Sequence, residues 1–435
     1  VQIHLKAIGC RLNEAELEGW AREFKADGHT LVNEANEADL MVFNSCAVTQ
    51  QAVRKSRQYI KRIQRDNPSA KIIMSGCYAS LDPAEAAGAL GVDLVVENKQ
   101  KDQLVKIATQ ELNLPVMPQA ATEPGESSLF QRGRQRAFIK IQDGCRYRCT
   151  FCIVTVARGE ERSRSLQEII DEINQFHRQG IQEIALTGVH VGGYGSEIDS
   201  SLYQLLEMIL NETDMPRIRL ASVEPWDLPE HFFQLFANPR LMPHMHLPLQ
   251  SGTNSVLRRM ARRCKTADFM ELVKQARRAV PDFNITSDII VGFPGETEEE
   301  WQQSLEFIKQ IGFGHLHIFS YSPRSGTKAA TLANPVPEKV KKERSKILHQ
   351  LAQEMKLKTL ESYIGRQVEV LWEGKGKIQE NGQKRYWGYA PNYLRVAIDV
   401  EPEQEMSNQI TLVTLNSVDA EAECLLSTQG YDPTP

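Results

Sequence analysis

Asp143-Gly-Cys-Arg-Tyr-Arg-Cys-Thr-Phe-Cys152 sets three thiols, Cys145, Cys149 and Cys152, at C-x3-C-x2-C spacing. Three thiolates on one short loop can wrap a single metal centre, but tetrahedral zinc wants a fourth ligand. The next histidines, His177 and His190, lie in or beyond an expected helix, so neither completes a local set. A 4Fe-4S cube held through three irons, with its fourth iron open, fits the donor count better. Arg146 and Arg148 between the cysteines suit an exposed turn beside an anionic centre, not a core.

On the C-terminal side of this loop, strand and helix patterns alternate from Ala137 onward. Six strands are expected, at Phe138–Gln142, Glu183–Leu186, Arg217–Ala221, His244–Leu249, Ile285–Val291 and His315–Ser320. Helical periodicity fills the intervals, as at Leu166–Gln179 and Glu298–Ile311. Six β/α units are too few to close an eight-stranded barrel and suit a partial one, with its site at the strands' C-terminal ends.

On the N-terminal side, residues 1 to about 115 read as parallel α/β units. Cys10, Cys46 and Cys77 each follow an expected strand (Gln2–Ala7, Asp39–Asn44 and Lys71–Ser75). Loops after parallel strands line one crevice, so thiols far apart in sequence are expected to meet there. A polar stretch separates the two parts. After a charged helix over about Val336–Tyr363, short β-branched and aromatic runs between Gly and Pro turns predict a small β-barrel. Within it, Lys384-Arg-Tyr-Trp-Gly-Tyr-Ala-Pro-Asn-Tyr-Leu-Arg395 interleaves aromatic and basic residues, as stacking RNA-binding surfaces do. An edge hairpin with its aromatics in a core is the alternative. The expected division is therefore 1–118, a linker at 119–136, 137–362 and 363–428.

Composition sets the outer limits. The chain has 435 residues, enough for about two to four domains, and is 41% hydrophobic and 25% charged, as globular proteins are. No apolar run approaches the ~18 residues that span a bilayer, and the first residues read as a strand without signal-peptide features. Eight cysteines in such a chain point to metal or redox chemistry rather than a disulfide framework. A cytoplasmic protein away from membranes is expected. The net charge of −5 excludes a uniformly basic surface, but arginines gather locally. Arg132, Arg134 and Arg136 precede the cysteine loop, Arg158, Arg162 and Arg164 follow it, and Arg258 to Lys265 form a third group. Such flanks suit a polyanionic substrate.

The cysteine loop resembles the cluster-binding loop of radical S-adenosylmethionine (SAM) enzymes. Gly9-Cys10-Arg-Leu-Asn13, Asn44-Ser-Cys46-Ala-Val-Thr49 and Ser75-Gly-Cys77-Tyr78 resemble the auxiliary-cluster domain of the methylthiotransferase family. The C-terminal region is similar to the RNA-binding TRAM domain, with Gly388, Asn392 and Tyr393 at matching places. This resemblance implies an open parallel α/β domain, a partial (β/α)6 radical SAM barrel and a small β-barrel. It implies two 4Fe-4S clusters, one on Cys145, Cys149 and Cys152 and an auxiliary one on Cys10, Cys46 and Cys77. SAM contacts are implied at Gly188, Ser222, Glu224, Gln250, Asp288, Gly292 and Tyr321, and RNA contacts at Arg385, Tyr386, Trp387, Tyr389 and Tyr393.

The implied activity is a radical transfer of methylthio to C2 of an adenosine in tRNA, using two SAM molecules. Asn44-Ser-Cys-Ala-Val-Thr49 with Ala52-Val-Arg-Lys-Ser-Arg-Gln58 resembles the type acting on N6-threonylcarbamoyladenosine at position 37. The alternatives are the isopentenyladenosine type and the type that modifies an aspartate of a ribosomal protein. Arg54, Lys55 and Arg57 are candidates for the carboxylate of the threonylcarbamoyl group. Implied partners are the tRNA anticodon stem-loop, a reductase or flavodoxin-like electron donor, and a sulfur donor. Thr155 departs from the family pattern, standing where proline is usual, which is expected to loosen that turn. Cys264 and Cys424 fit neither trio and are expected to be structural.

Overall fold

The structure, a computed structural model, describes residues 1–88, 90–116 and 135–427. Most of the expected linker, with Arg132 and Arg134, lies outside the described residues. Five parallel strands form the first unit: β1 (Gln2–Ala7), β2 (Thr30–Leu31), β3 (Leu40–Ser45), β4 (Lys71–Gly76) and β5 (Leu94–Val96). Their spatial order is β2-β1-β3-β4-β5. Central strand β3 is buried on both faces and so reads as a continuous apolar run rather than an alternating one. Leu40 and Val42 pack with Leu17, Trp20 and Phe24, while Met41 and Phe43 pack with Ile60 and Ile63. Because β2 and β3 lie on opposite sides of β1, the chain reverses direction across the sheet between β1 and β3. A crevice opens at the carboxyl ends of strands flanking such a reversal.

The second unit begins with β6 (Arg136–Lys140). A short antiparallel ribbon, β7 (Gln142–Asp143) with β8 (Arg162–Ser163), then pins the base of the cysteine loop. The remaining barrel strands are β9 (Glu183–Thr187), β10 (Arg217–Leu220), β11 (His244–His246), β12 (Asn284–Val291) and β13 (His315–Ser320). They form two three-stranded parallel sheets, β10-β9-β6 and β11-β12-β13. Isolated parallel bridges, Ile218 to Leu241 and Ser222 to His246, join the sheets. The result is a six-stranded partial barrel, with no pairing of β6 to β13 among the described residues. Strand β11 stops short of its expected end because Pro248 has no N–H for the ladder.

Alternation along these strands separates two environments. Ala137, Ile139, Ile184, Leu186, Ile218 and Leu220 enter the core under the outer helices, with Ile169, Ile173 and Phe176 of helix Leu166–Arg178 among their neighbours. The opposite face lines the lumen and is polar, carrying Arg136, Lys140, Glu183, Arg219, His244, His246, Asp288 and His317.

Helix Glu338–Glu361 leads to the third unit. Its strands are β14 (Gln367–Ile378), β15 (Lys384–Tyr389), β16 (Arg395–Val400), β17 (Ile410–Thr414), β18 (Ser417–Asp419) and β19 (Cys424–Ser427), in the order β17-β14-β15-β16-β19-β18. Four of the six were expected; β18 and β19 are too short for a strand signal. This sheet seats on the N-terminal ends of the barrel strands. Arg217 donates to the carbonyls of Tyr389 and Glu369 at 3.0 Å, Arg219 to Pro391 at 3.0 Å and Asn284 to Asn392 at 2.9 Å.

That seating corrects the expected RNA surface. Tyr386 is wholly buried in the sheet's core beside Trp372 and Val396, so it has no face for a base. Tyr389 and Tyr393 stack on each other at 4.6 Å, with Tyr393 also stacked on His244 and capped by Arg219. Their rings are consumed in the junction with the barrel. Arg385 is engaged by Asp399 through two bonds of 2.7 and 2.6 Å. Trp387 is half-buried, with Arg395 over its ring at 5.7 Å. Among the described residues, no helix is long and apolar enough to cross a membrane.

Candidate metal centres

Three strand ends assemble the dispersed trio. Cys10 follows β1 as the N-cap of helix Arg11–Ala26, Cys46 follows β3, and Cys77 opens the short helix after β4. Two glycines permit the approach. A Cβ on Gly9 (φ +133°) would meet Cys46 Cβ at 2.8 Å, and one on Gly76 (φ +94°) would meet the Ser45 carbonyl at 2.3 Å. Desolvation raises the Cys10 and Cys46 thiol pKa values, Cys46 to about 11; Cys77 raises Cys10 further, and Cys77 and Cys10 both raise Cys46. Asn44 Oδ1 and Ser75 Oγ are buried beside the trio without a partner among the described residues. Three converging thiols next to orphaned polar atoms fit a thiolate-held metal centre.

The compact trio sits on the barrel's C-terminal face. Cys152 N–H donates to the Cys149 carbonyl at 3.0 Å and Cys145 N–H to Gly159 at 3.1 Å, which curls the loop so its thiols interact. Burial pushes Cys145 up to about 12 and Cys152 to about 11. Ligation must therefore displace protons. Two members of the third arginine group reach the loop, while Arg258 and Lys265 are exposed. Arg262 lies 3.8 Å from Cys149 Sγ, and Arg263 caps the Tyr147 ring at 4.8 Å. Thr155, in the place of the usual proline, donates its hydroxyl to the Tyr147 carbonyl at 2.9 Å. It ties the turn rather than loosening it.

His190, expected to lie apart, does reach this centre. A ligand atom from each of Cys145, Glu161 and His190 falls within 4.8 Å of the others. Both imidazole nitrogens are nevertheless taken, Nδ1 by Glu161 at 2.5 Å and Nε2 by Asp227 at 2.6 Å. Burial lowers the His190 pKa, but these carboxylates and Glu224 outweigh it and raise it overall. With a carboxylate oxygen against each ring nitrogen, neither nitrogen is turned toward the thiols as a metal donor. His190 therefore adds no free donor to the thiols of Cys145, Cys149 and Cys152.

A cavity of about 180 Å³ reaches from Cys152 of the compact trio to the segment that follows Cys46. Phe151, Cys152 and Ile153 wall it from the compact loop, Val48 and Thr49 from the segment after Cys46, and Gln250, Asp288, Ile290 and Tyr321 from the barrel. Three of the expected SAM residues, Gln250, Asp288 and Tyr321, thus meet at one wall. The others are placed differently. Gly188 is packed by Gln142, whose Oε1 accepts from the N–H groups of Val189 and His190 at 3.1 and 2.9 Å. Ser222 pairs with His246 across the sheet junction. Glu224 lies on the Cys145 side, its carboxyl raised by burial. Gly292 faces Lys341 of the long helix, where a Cβ would meet Cγ at 2.3 Å, so its missing side chain serves protein packing.

Sequence spacing gave no sign of the polar bridge that joins the trios. Arg158 donates to Asn13 Oδ1 at 2.8 Å, Glu16 at 2.9 Å and Asp143 at 3.0 Å. Asn13 in turn donates to the Ile8 and Ser45 carbonyls beside Cys10 and Cys46 at 3.1 and 3.2 Å. Lys101 pairs with Asp143 at 2.9 Å and with Glu16. Burial raises the carboxyl pKa values of Glu16 and Asp143, but Arg158 and Lys101 outweigh it and hold both below the usual range. The polar character of Asn13 and Glu16 on a helix was the available signal. Of the basic residues expected near a substrate carboxylate, Arg57 is bound to the Tyr78 hydroxyl at 2.9 Å and to Glu85, while Arg54 and Lys55 are exposed. Cys264 lies in the barrel core and Cys424 in the C-terminal sheet, both buried and apart from the trios.

Comparison with known proteins agrees with this geometry. Residues 139–308 match the radical SAM superfamily and residues 2–97 match the uncharacterized protein family UPF0004. The threonylcarbamoyladenosine tRNA methylthiotransferase MtaB of Thermotoga maritima is 38% identical over 85% of this chain and 86% of its own. A tRNA-2-methylthio-N(6)-dimethylallyladenosine synthase of Bacillus velezensis is 32% identical over 86% and 77%. In fold, the chain resembles the radical SAM methyltransferase TsrM of Kitasatospora setae, with a TM-score of 0.58 at 16% identity over 76% of this chain and 77% of that one. At these identities over most of both sequences, the chain belongs to the methylthiotransferase family of radical SAM proteins.

Proposed function

We propose that this chain transfers a methylthio group to C2 of N6-threonylcarbamoyladenosine at position 37 of tRNA. The observation that carries this reading is the shared cavity, which has Cys152 on one wall and the segment following Cys46 on another. Cys145, Cys149 and Cys152 would hold one 4Fe-4S cluster, and Cys10, Cys46 and Cys77 the other. When bound, these clusters supply the electron that opens SAM to a carbon radical and the sulfur that is transferred. A radical is called for because an aromatic C–H is too weakly acidic for side-chain acid–base chemistry.

The chain's own residues have three tasks. Phe151, Ile153, Ile290 and Tyr321 wall the cavity with apolar surface that keeps out water, which would quench a radical. Gln250 and Asp288 offer polar atoms at the same wall, where SAM is to be oriented. Arg158 fixes the spacing of the two ligand sets, since it bonds both the helix after Cys10 and Asp143 before Cys145. Relatives named for threonylcarbamoyladenosine support that substrate, and the charge near the auxiliary site suits its carboxylate. A cytoplasmic location, a flavodoxin-like or reductase electron donor and a separate sulfur donor belong to the same reading.

Nucleoside mass spectrometry of tRNA from a deletion strain tests it. The methylthio form of threonylcarbamoyladenosine should vanish and return on complementation. Loss of the methylthio form of the isopentenyl nucleoside instead would transfer the chain to the other tRNA branch, and unchanged nucleosides would remove it from tRNA altogether.

A further inference from the structure

Arg11 directly follows Cys10 and opens helix Arg11–Ala26, at the carboxyl end of β1. Its guanidinium reaches over the ring of Phe138, with its carbon 5.1 Å from the centroid. Phe138 faces the lumen from β6, and across the unpaired side of the barrel β13 presents exposed His317 and Phe319. The His317 pKa is lowered by desolvation first and then by His246, against Asp288, and Arg11 adds a smaller lowering from nearby. The open flank of the barrel thus presents His317 and Phe319 for a purine, and opposite them the Arg11 cation, on the residue after Cys10, lies over buried Phe138.

The ion pair of Arg11 leaves it available. It meets Glu14 at 3.1 Å, three residues on, with the Arg11 side chain 57% exposed. An exposed pair of this kind is weak and is readily exchanged for a better anion. Arg57, by contrast, is already bound to Glu85 and Tyr78.

Substrate chemistry supplies the anion. The N6 substituent and C2 of adenine flank N1 on one edge of the base, so a residue adjacent to the sulfur-bearing site is within reach of that substituent. Resting on the reading that threonylcarbamoyladenosine is the substrate, we propose that Arg11 binds the carboxylate of the threonylcarbamoyl group and selects this nucleoside over carboxylate-free ones. A planar fork suits a carboxylate through paired N–H bonds.

The test uses the full chain, reconstituted anaerobically with both clusters. Its affinity is measured for anticodon stem-loops that differ only in bearing threonylcarbamoyladenosine, dimethylallyladenosine or adenosine at the target position. Wild type should prefer the first over plain adenosine by about tenfold or more, the worth of one charge-assisted contact. Arg11→Gln should lose that preference while binding the adenosine RNA as before, Arg11→Lys should keep part of it, and Arg11→Glu should favour the dimethylallyl RNA. Iron per chain is measured in each variant so that a damaged Cys10 site is recognised. An undiminished preference in Arg11→Gln and Arg11→Glu overturns the proposal. So does an equal loss for all three RNAs, which marks a phosphate contact. Failure of the substrate reading is a separate result: wild type itself would form no methylthio product on the threonylcarbamoyl RNA.

Discussion

The two thiol trios are built by opposite strategies. Cys145, Cys149 and Cys152 sit on one loop whose ends are pinned by a two-stranded ribbon, so spacing alone brings them together. Cys10, Cys46 and Cys77 are gathered by topology, each following a strand of one parallel sheet. A local trio depends on its loop, while a dispersed trio depends on an entire domain keeping register. If both serve one reaction as separate centres, breaking them should have different consequences. Cys10→Ala should still form 5′-deoxyadenosine from SAM under dithionite and yield no methylthio nucleoside, whereas Cys149→Ala should lose both products. Equal loss of both in the two variants would argue against separate roles.

Arg158 sharpens the same contrast, because it is where the two strategies meet. Replacing it with Met leaves Glu16 and Asp143 buried without their main cation. Removing one partner of a buried ion network costs about 3–5 kcal/mol. Urea titration of Arg158→Met should show a loss of that order, whereas exposed Arg54→Gln should stay within about 0.5 kcal/mol of wild type.

The compact trio was legible from sequence because its spacing is local, and the dispersed one because apolar runs reveal where parallel strands end. His190 was not legible. It is remote from Cys145 in sequence, and only the return of β9 to the barrel face brings them close. The packing of Tyr386, Tyr389 and Tyr393, expected at an RNA surface, was missed for a more instructive reason. Tyr386, Gly388 and Ala390 lie on one face of β15 and its extension, and Arg385, Trp387 and Tyr389 on the other. Reading both faces as one surface ignored the period of two that decides which aromatic enters a core. The partners of Tyr389 and Tyr393, namely Arg136, Arg219 and His244, belong to another unit and leave no local trace.

Those residues extend the comparison along the strand and to the far end of the barrel. Tyr386→Ala should destabilise the chain by about 3 kcal/mol through a lost core ring. Trp387→Ala should leave stability nearly intact and weaken tRNA binding by about 1–3 kcal/mol if that ring stacks on a base. Measured Tm and RNA affinity for the pair decide between core and surface roles.

The smallest effect concerns pH. Burial depresses His315 to about 4, and burial with neighbouring Arg219 holds His244 well below the ordinary histidine value. Both are neutral in the fold but protonate in the unfolded chain below about pH 6.5. Their contribution is therefore whole above pH 6.5 and is lost as pH falls toward 4. The slope of Tm against pH over that window should be shallower in His244→Phe than in wild type.

Iron counting on anaerobically reconstituted protein tests the paired centres most directly. Wild type should hold about eight irons per chain and a Cys10→Ala, Cys46→Ala, Cys77→Ala triple variant about four, with SAM cleavage retained. A count unchanged in the triple variant, or one that falls to zero together with SAM cleavage, would contradict two independent three-thiol centres.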